Sequence, residues 1–155
     1  MDVNYGGSSG YGRKFIERLR DNWGIVDVQD SITAPQTLGS PPSPPYDIID
    51  KKRLFIRGGS AGGYTVLAAL SIASDVKVFK GATSLYGISN LELLYDFTHK
   101  FESKYLERLV GGTPVQVPAV YKARSPIYHA DNIVTALLVS DKLSHNSLIE
   151  ALIVF

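Results

Sequence analysis

The sequence predicts an α/β protein with a mostly parallel sheet flanked by helices, and three observations carry that expectation. Short β-type runs alternate with helical runs along the chain, the pattern of strands joined through helices. One junction, KRLFIRGGSAGGYTVLAAL from Lys52, passes from strand to glycine turn to helix without a spacer. A third stretch, IVTALLV at Ile133–Val139, is apolar almost throughout, as a strand buried on both faces would be. About three strands can be counted, fewer than a doubly wound sheet normally holds, so the sheet reads as incomplete.

The junction from Lys52 is the most informative stretch. Arg53–Arg57 places Leu54 and Ile56 on one face and reads as a strand, and Tyr64–Ile72 is rich in Ala and Leu and reads as a helix. Between them Gly58-Gly59-Ser60-Ala61-Gly62 fits G-x-S-x-G, which between a strand and a helix is a nucleophile elbow. The serine is expected in a strained backbone conformation at the tip. Gly58 and Gly62 are expected because a Cβ at either would collide with the strand or the helix. The helix aims its N–H groups and positive dipole end at the same point, favouring developing negative charge. A phosphate loop is the rival reading, since Gly58 and Gly63 have the right spacing, but Tyr64 stands where that motif needs lysine.

Taken in order, DVNYGGSSGYG at Asp2–Gly12 has linker-like glycine and serine, but tyrosines stand among them and no dinucleotide fingerprint is present. Phe15, Leu19 and Trp23 recur at helical spacing, so Arg13–Trp23 is expected as an amphipathic helix that Gly24 ends. Ile25–Thr33 is expected as a second short helix. Ala34–Tyr46 is dense in prolines and reads as a non-helical surface loop of polyproline character. Val76–Tyr86 is the second strand candidate. Asn90–Tyr95 and Lys100–Val110 are expected helices, the latter ended by Gly111 and Gly112. Thr113–Ser125 reads as loop, and Leu143–Phe155 as weakly helical. No repeat or internal boundary divides residues 1–155, so one domain is expected.

The 155 residues are 45% hydrophobic with a formal net charge of +1, enough for a real core. That balance leaves no electrostatic footprint for nucleic acid or an anionic membrane. The apolar runs are too short to span a bilayer, and MDVNYGG lacks the basic start and apolar stretch of a signal peptide. Cysteine is absent, which excludes disulfide and thiol chemistry and fits a reducing compartment. A cytoplasmic location is the default expectation. No cofactor or metal site is expected.

A serine nucleophile needs a base, an orienting carboxylate and an oxyanion hole. Ser60 supplies the nucleophile, and the backbone N–H of Ala61 supplies one oxyanion donor. The base must come from His99, His129 or His145. His99 and Glu102 share a helix face, which reads as solvated surface in the absence of further metal ligands. His129 precedes the strand expected to carry the acid, so it is out of order for the base and reads as a hydrogen-bonded structural histidine. Asp141 follows that strand, where the acid of such a sheet sits. His145 is four residues further on and could touch Asp141, although the usual architecture puts another helix between acid and base.

The segments NYGGSSGYGRKF, NWGIVDVQD, KKRLFIRGGSAGGY, FKGATSLYGIS, THKFESKYLERLVG and RSPIYHADNI follow one another in order. Together they resemble the catalytic domain of the prolyl oligopeptidase family of serine peptidases, in the branch of dipeptidyl aminopeptidases and acylaminoacyl peptidases. The resemblance covers residues 2 to 139. It implies a partial α/β-hydrolase fold, hydrolysis of peptide or acyl-peptide bonds, Ser60 as nucleophile, and a non-catalytic His129. Family members also carry a β-propeller, an HGGP-type oxyanion segment, and a Gly-x-x-Asp-x-x-Val-Pro segment bearing the acid. Here SDKLSHNSLIEALIVF follows Val139, with Asp141 as the remnant of that acid. The chain is therefore expected to be a piece of a catalytic domain, impaired in hydrolysis, with open sheet edges that favour self-association. A catalytically silent partner-binding remnant and a carboxylesterase-like hydrolase are the alternatives.

Overall fold

The computed structural model describes residues 1–39, 49–73, 78–98, 100–141 and 150–154, with backbone alone for 100–103, 141 and 150–154. Two helices come first, α1 at Arg13–Ile16 and α2 at Val26–Leu38. Strand β1 at Phe55–Gly59 runs into α3 at Ala61–Ser71. Strand β2 at Gly81–Leu85 leads to α4 at Leu91–Phe97, α5 at Lys100–Val110 and α6 at Pro118–Arg124. A 3-10 helix at Pro126–Asn132 precedes β3 at Ala136–Asp141, and β4 is Glu150–Val154.

The sheet order is β1-β2-β3-β4. The first three strands are parallel, with Ile56 opposite Ala82 and Ala82 opposite Leu137. This is the three-stranded parallel sheet with helical connections that the alternating pattern predicts. β4 adds a fourth strand, antiparallel to β3, with Asp141 opposite Glu150.

Because side chains alternate across a strand, this register gives the sheet two unlike faces. Leu54, Ile56, Ala82, Leu137 and Val139 join the core under α3. That core is dominated by α3 itself, where Tyr64, Ala68 and Leu70 are completely buried. α3 is apolar on nearly every side because α2 and the 3-10 helix Pro126–Asn132 also pack on it. Phe55, Arg57, Thr83, Leu85, Ala136 and Leu138 point the other way, and Phe55 is 72% exposed.

Several local expectations need correction. The Phe15, Leu19, Trp23 spacing does bury Leu19 and Trp23, but not on one helix. α1 gives way to a 3-10 turn at Glu17–Leu19, then Arg20 is extended and Asp21 takes φ 57°. α2 runs through Pro35 into the segment read as loop. An internal proline costs about 3 kcal/mol through its missing N–H and ring clash. Here it sits in the last turn, is itself buried, and its carbonyl still accepts from Gly39 N–H at 3.2 Å. The remainder of the expected proline-rich loop, 40–46, lies outside the described residues.

α6 also replaces expected loop. Its Pro118 stands at the helix start, where the missing N–H costs nothing and the fixed φ suits a helix. The helix holds because Tyr121 is fully buried and its hydroxyl donates to Gly112 O at 3.0 Å. The C-terminal apolar run is strand rather than helix. Five residues with two β-branched side chains fit either state by pattern alone, and pairing with β3 decides it. Helix α5, by contrast, has the expected bounds. α4 starts where Asn90 Oδ1 accepts from Glu92 and Leu93 N–H at 2.9 and 3.2 Å.

Candidate active site

The turn between β1 and α3 has the predicted elbow geometry. Ser60 has φ 54° and ψ −119°, a region a residue with a Cβ occupies only under strain of about 1–3 kcal/mol. Its N–H donates to Leu85 O at 2.9 Å, and its carbonyl accepts from Tyr64 N–H at 3.0 Å. The backbone is thus fixed on both sides, to the end of β2 and to the first turn of α3. The Ser60 side chain makes no capping hydrogen bond and is exposed at the tip. Ala61 is the first residue of α3 and is also exposed, so its N–H lies among the unpaired donors of the helix start.

The glycines differ from one another. A Cβ on Gly58 would run into the Gly62 carbonyl, so strand and helix touch there through bare backbone, as expected. The matching expectation for Gly62 fails, since a Cβ there meets no described atom within 4 Å. The second close approach lies at Gly63, where a Cβ would come 2.7 Å from Gly87 Cα and 3.0 Å from Ser84 Oγ. Ser84 Oγ donates to Gly63 O at 3.2 Å. The Tyr86-Gly87 turn after β2 is therefore the second wall of the elbow. Its one sequence signal is the tyrosine–glycine pair that closes the second strand.

The carboxyl ends of the three parallel strands meet at this rim. Tyr86 N–H donates to Ser140 O at 2.6 Å, so β3 ends level with the turn after β2. Asp141 closes β3, two strand spacings or about 10 Å from β1. The structure thus brings Asp141 to the same rim as Ser60 by its backbone, in a parallel sheet whose ligands bind at the carboxyl ends. His99 and His145 lie outside the described residues. His129 sits on the 3-10 helix that Asn132 ties to Ser71 O at 2.9 Å, the end of α3 away from the elbow. The expectation that its ring is hydrogen-bonded needs correction at one atom, because its buried Nε2 has no partner among the described residues. No group of His, Cys, Asp and Glu suited to a metal occurs among the described residues.

Sequence reasoning missed a buried polar cluster behind the elbow. Asp27, in the first turn of α2, is fully buried. Its Oδ1 accepts from Gly24 N–H at 2.6 Å and its Oδ2 lies 2.7 Å from Thr65 Oγ1. Burial pushes its carboxyl above the usual carboxylate range, against the hydrogen bonds from Thr65 and Gly24. Beside it Tyr64 donates to Arg124 O at 3.0 Å, and Arg124 donates to the carbonyls of Asp21 and Trp23. Burial raises the Tyr64 hydroxyl, with the Asp27 charge adding to it, and lowers the Arg124 guanidinium. In sequence Asp27 looks like one more acid on a helix, and only its place against α3 makes it different.

A strained serine between a strand and a helix, at the carboxyl ends of parallel strands, marks part of an α/β-hydrolase fold. The chain belongs to the prolyl oligopeptidase family, whose model matches residues 1–141. Over 90% of its length it is similar in structure to a Mycobacterium tuberculosis puromycin-hydrolyzing peptidase, with 49% identity and a TM-score of 0.80. It is likewise similar to a Pyrococcus horikoshii acylaminoacyl peptidase, with 27% identity and a TM-score of 0.76 over 90% of the chain. A dipeptidyl aminopeptidase BIII of Pseudoxanthomonas mexicana is 29% identical over 144 residues, again 90% of the chain. The chain spans 20 to 21% of the length of these three relatives. No helix among the described residues is long and apolar enough to cross a membrane.

Proposed function

We propose that this chain is part of a serine-type peptidase in which Ser60 is the nucleophile for hydrolysis of peptide or acyl-peptide bonds. The observation that carries the reading is the strained backbone of Ser60, held between Leu85 O and Tyr64 N–H at the start of α3. Ser60 Oγ attacks the scissile carbonyl carbon, and its proton passes to an imidazole base. The oxyanion is stabilised by the Ala61 N–H and the positive end of α3. Asp141, at the end of β3, is the acid that orients the base. The names of the relatives span unblocked and acylated amino termini, which supports an amide or peptide substrate.

Hydrolysis by the 155 residues alone is impaired in this reading. Among the described residues no imidazole is hydrogen-bonded to the Ser60 hydroxyl, His99 and His145 lie outside them, and the expectation of impairment rests on the altered acid segment after Val139. Loss of a triad member lowers turnover by about four to six orders of magnitude, leaving the contribution of oxyanion hole and binding. Slow, stoichiometric labelling of Ser60 by a fluorophosphonate is therefore expected, and Ser60→Ala abolishes it. Absence of labelling under prolonged exposure favours the second reading, a catalytically silent, partner-binding segment. Faster cleavage of a p-nitrophenyl ester than of an aminoacyl anilide favours a carboxylesterase-like hydrolase.

Self-association through the sheet belongs to the same proposal. Phe55, at 72% exposure, lies on the face opposite α3, and parallel strands are ordinarily covered on both faces. Phe55→Ser should shift the light-scattering mass of concentrated protein toward the monomer without lowering thermal stability. An unshifted mass counts against this face as the contact.

A further inference from the structure

The Thr65 hydroxyl carries one proton but has two oxygens within reach. Asp27 Oδ2 lies 2.7 Å away and Ala61 O lies 3.2 Å away. An ionised carboxylate only accepts hydrogen bonds. With Asp27 ionised, the hydroxyl must donate to Oδ2, and Ala61 O keeps little of it. With a proton on Oδ2, the direction reverses. The carboxylic O–H donates to Thr65 Oγ1, and the Thr65 hydroxyl is released to donate to Ala61 O. Ala61 directly follows Ser60, and its N–H is the proposed oxyanion donor.

We propose that Asp27 and Thr65 form a proton-linked relay that sets the hydrogen bonding of the first turn of α3, with Thr65 the residue that positions the elbow. The geometry is supported by what surrounds the carboxyl. Asp27 is completely buried, yet among the described residues its carboxyl meets the backbone N–H groups of Gly24, Asp27 and Val28 and the Thr65 hydroxyl rather than an ion-pair partner. Tyr5 from the N-terminal segment, Tyr64 from α3 and Arg124 from α6 face it electrostatically. Both tyrosine hydroxyls are raised, burial first, so they stay neutral, and Arg124 is the one cation among them. The start of α2 and Arg124 favour the carboxylate, while burial opposes it.

The sign of the linkage follows. A carboxyl raised in the folded state binds its proton more tightly there than when unfolded. The stabilisation is complete below the ordinary carboxylate pKa and is lost as pH rises through the raised folded value. Asp27→Asn, neutral throughout, keeps an acceptor for Gly24 and a donor for Thr65, and removes that slope.

The bearing of the relay on catalysis rests on Ser60 being the nucleophile, but the relay itself does not. A carbon-13 titration of the 155-residue protein from about pH 3 to pH 8 tests it. The Ala61 carbonyl resonance should step at the same midpoint as the Asp27 carboxyl. Thr65→Val should abolish the Ala61 step while Asp27 still titrates, and Thr65→Ser should restore it. Asp27→Asn should hold Ala61 at its low-pH position. If Asp27→Asn does not fold, the Val and Ser pair decides alone. The step should persist in Ser60→Ala, which separates this proposal from the nucleophile reading. An Ala61 resonance that ignores the Asp27 titration, or that steps equally in Thr65→Val, overturns the relay.

Discussion

The two faces of the sheet carry side chains from the same three strands and have opposite characters. On one, Ile56, Ala82 and Leu137 lie under α3, and Gly58 lets the helix backbone touch the strand. On the other, Phe55 stands 72% exposed over Gly81, with Arg57, Leu85 and Leu138 beside it. The elbow is shaped from one face alone. Ser60 is held by α3 and the end of β2, and the turn after β2 walls the elbow at Gly63, so the packed face fixes the candidate site. The opposite face is free to vary as far as that geometry is concerned.

The largest effect should come from the point of closest approach. Gly58→Ala drives a methyl into the Gly62 carbonyl, and backbone on both sides cannot yield. A loss of about 3 kcal/mol or more is expected in a denaturant melt. A near-normal melt would mean that α3 does not rest on β1 as described.

Neighbouring leucines of β3 give the next contrast. Leu137 is 3% exposed and Leu138 is only half-buried on the far face. Leu137→Ala should cost about 2–5 kcal/mol through transfer and cavity terms. Leu138→Ala should cost well under half of that. Equal losses would mean that the far face is covered too.

The smallest effect is also the one that corrects a sequence expectation. Gly62 lies in the first turn of α3 with open space where a Cβ would go. Gly62→Ala should therefore be neutral or stabilising, by up to about 1 kcal/mol, as for glycine replaced within a helix. A large loss in thermal stability would restore the collision read from the motif.

These contrasts also explain what could be read without coordinates. The elbow was legible because its backbone demands small residues at Gly58 and Gly63, and such demands are written into the sequence itself. Helix α5 was legible because one face carries its apolar side chains and two glycines end it. β4 was not, because Ala151–Val154 becomes strand only through its pairing with β3. Pro35 and Pro118 misled for the same reason, since burial of Pro35 and of Tyr121 overrides local preference. At the site, the strained backbone of Ser60 and the place of Ala61 at the start of α3 were legible in the motif, and the rim position of Asp141 followed from strand order. Asp27, Thr65 and the Tyr86-Gly87 wall were not, because their roles exist only where α2 and β2 meet α3.

Ser60 is proposed as the reactive residue of this segment. Intact-mass analysis of the 155-residue protein after long exposure to a fluorophosphonate tests it most directly, followed by peptide mapping of any adduct. A slow, single adduct on Ser60, absent from Ser60→Ala, is the expected result. No adduct, or one that persists in Ser60→Ala, would contradict it.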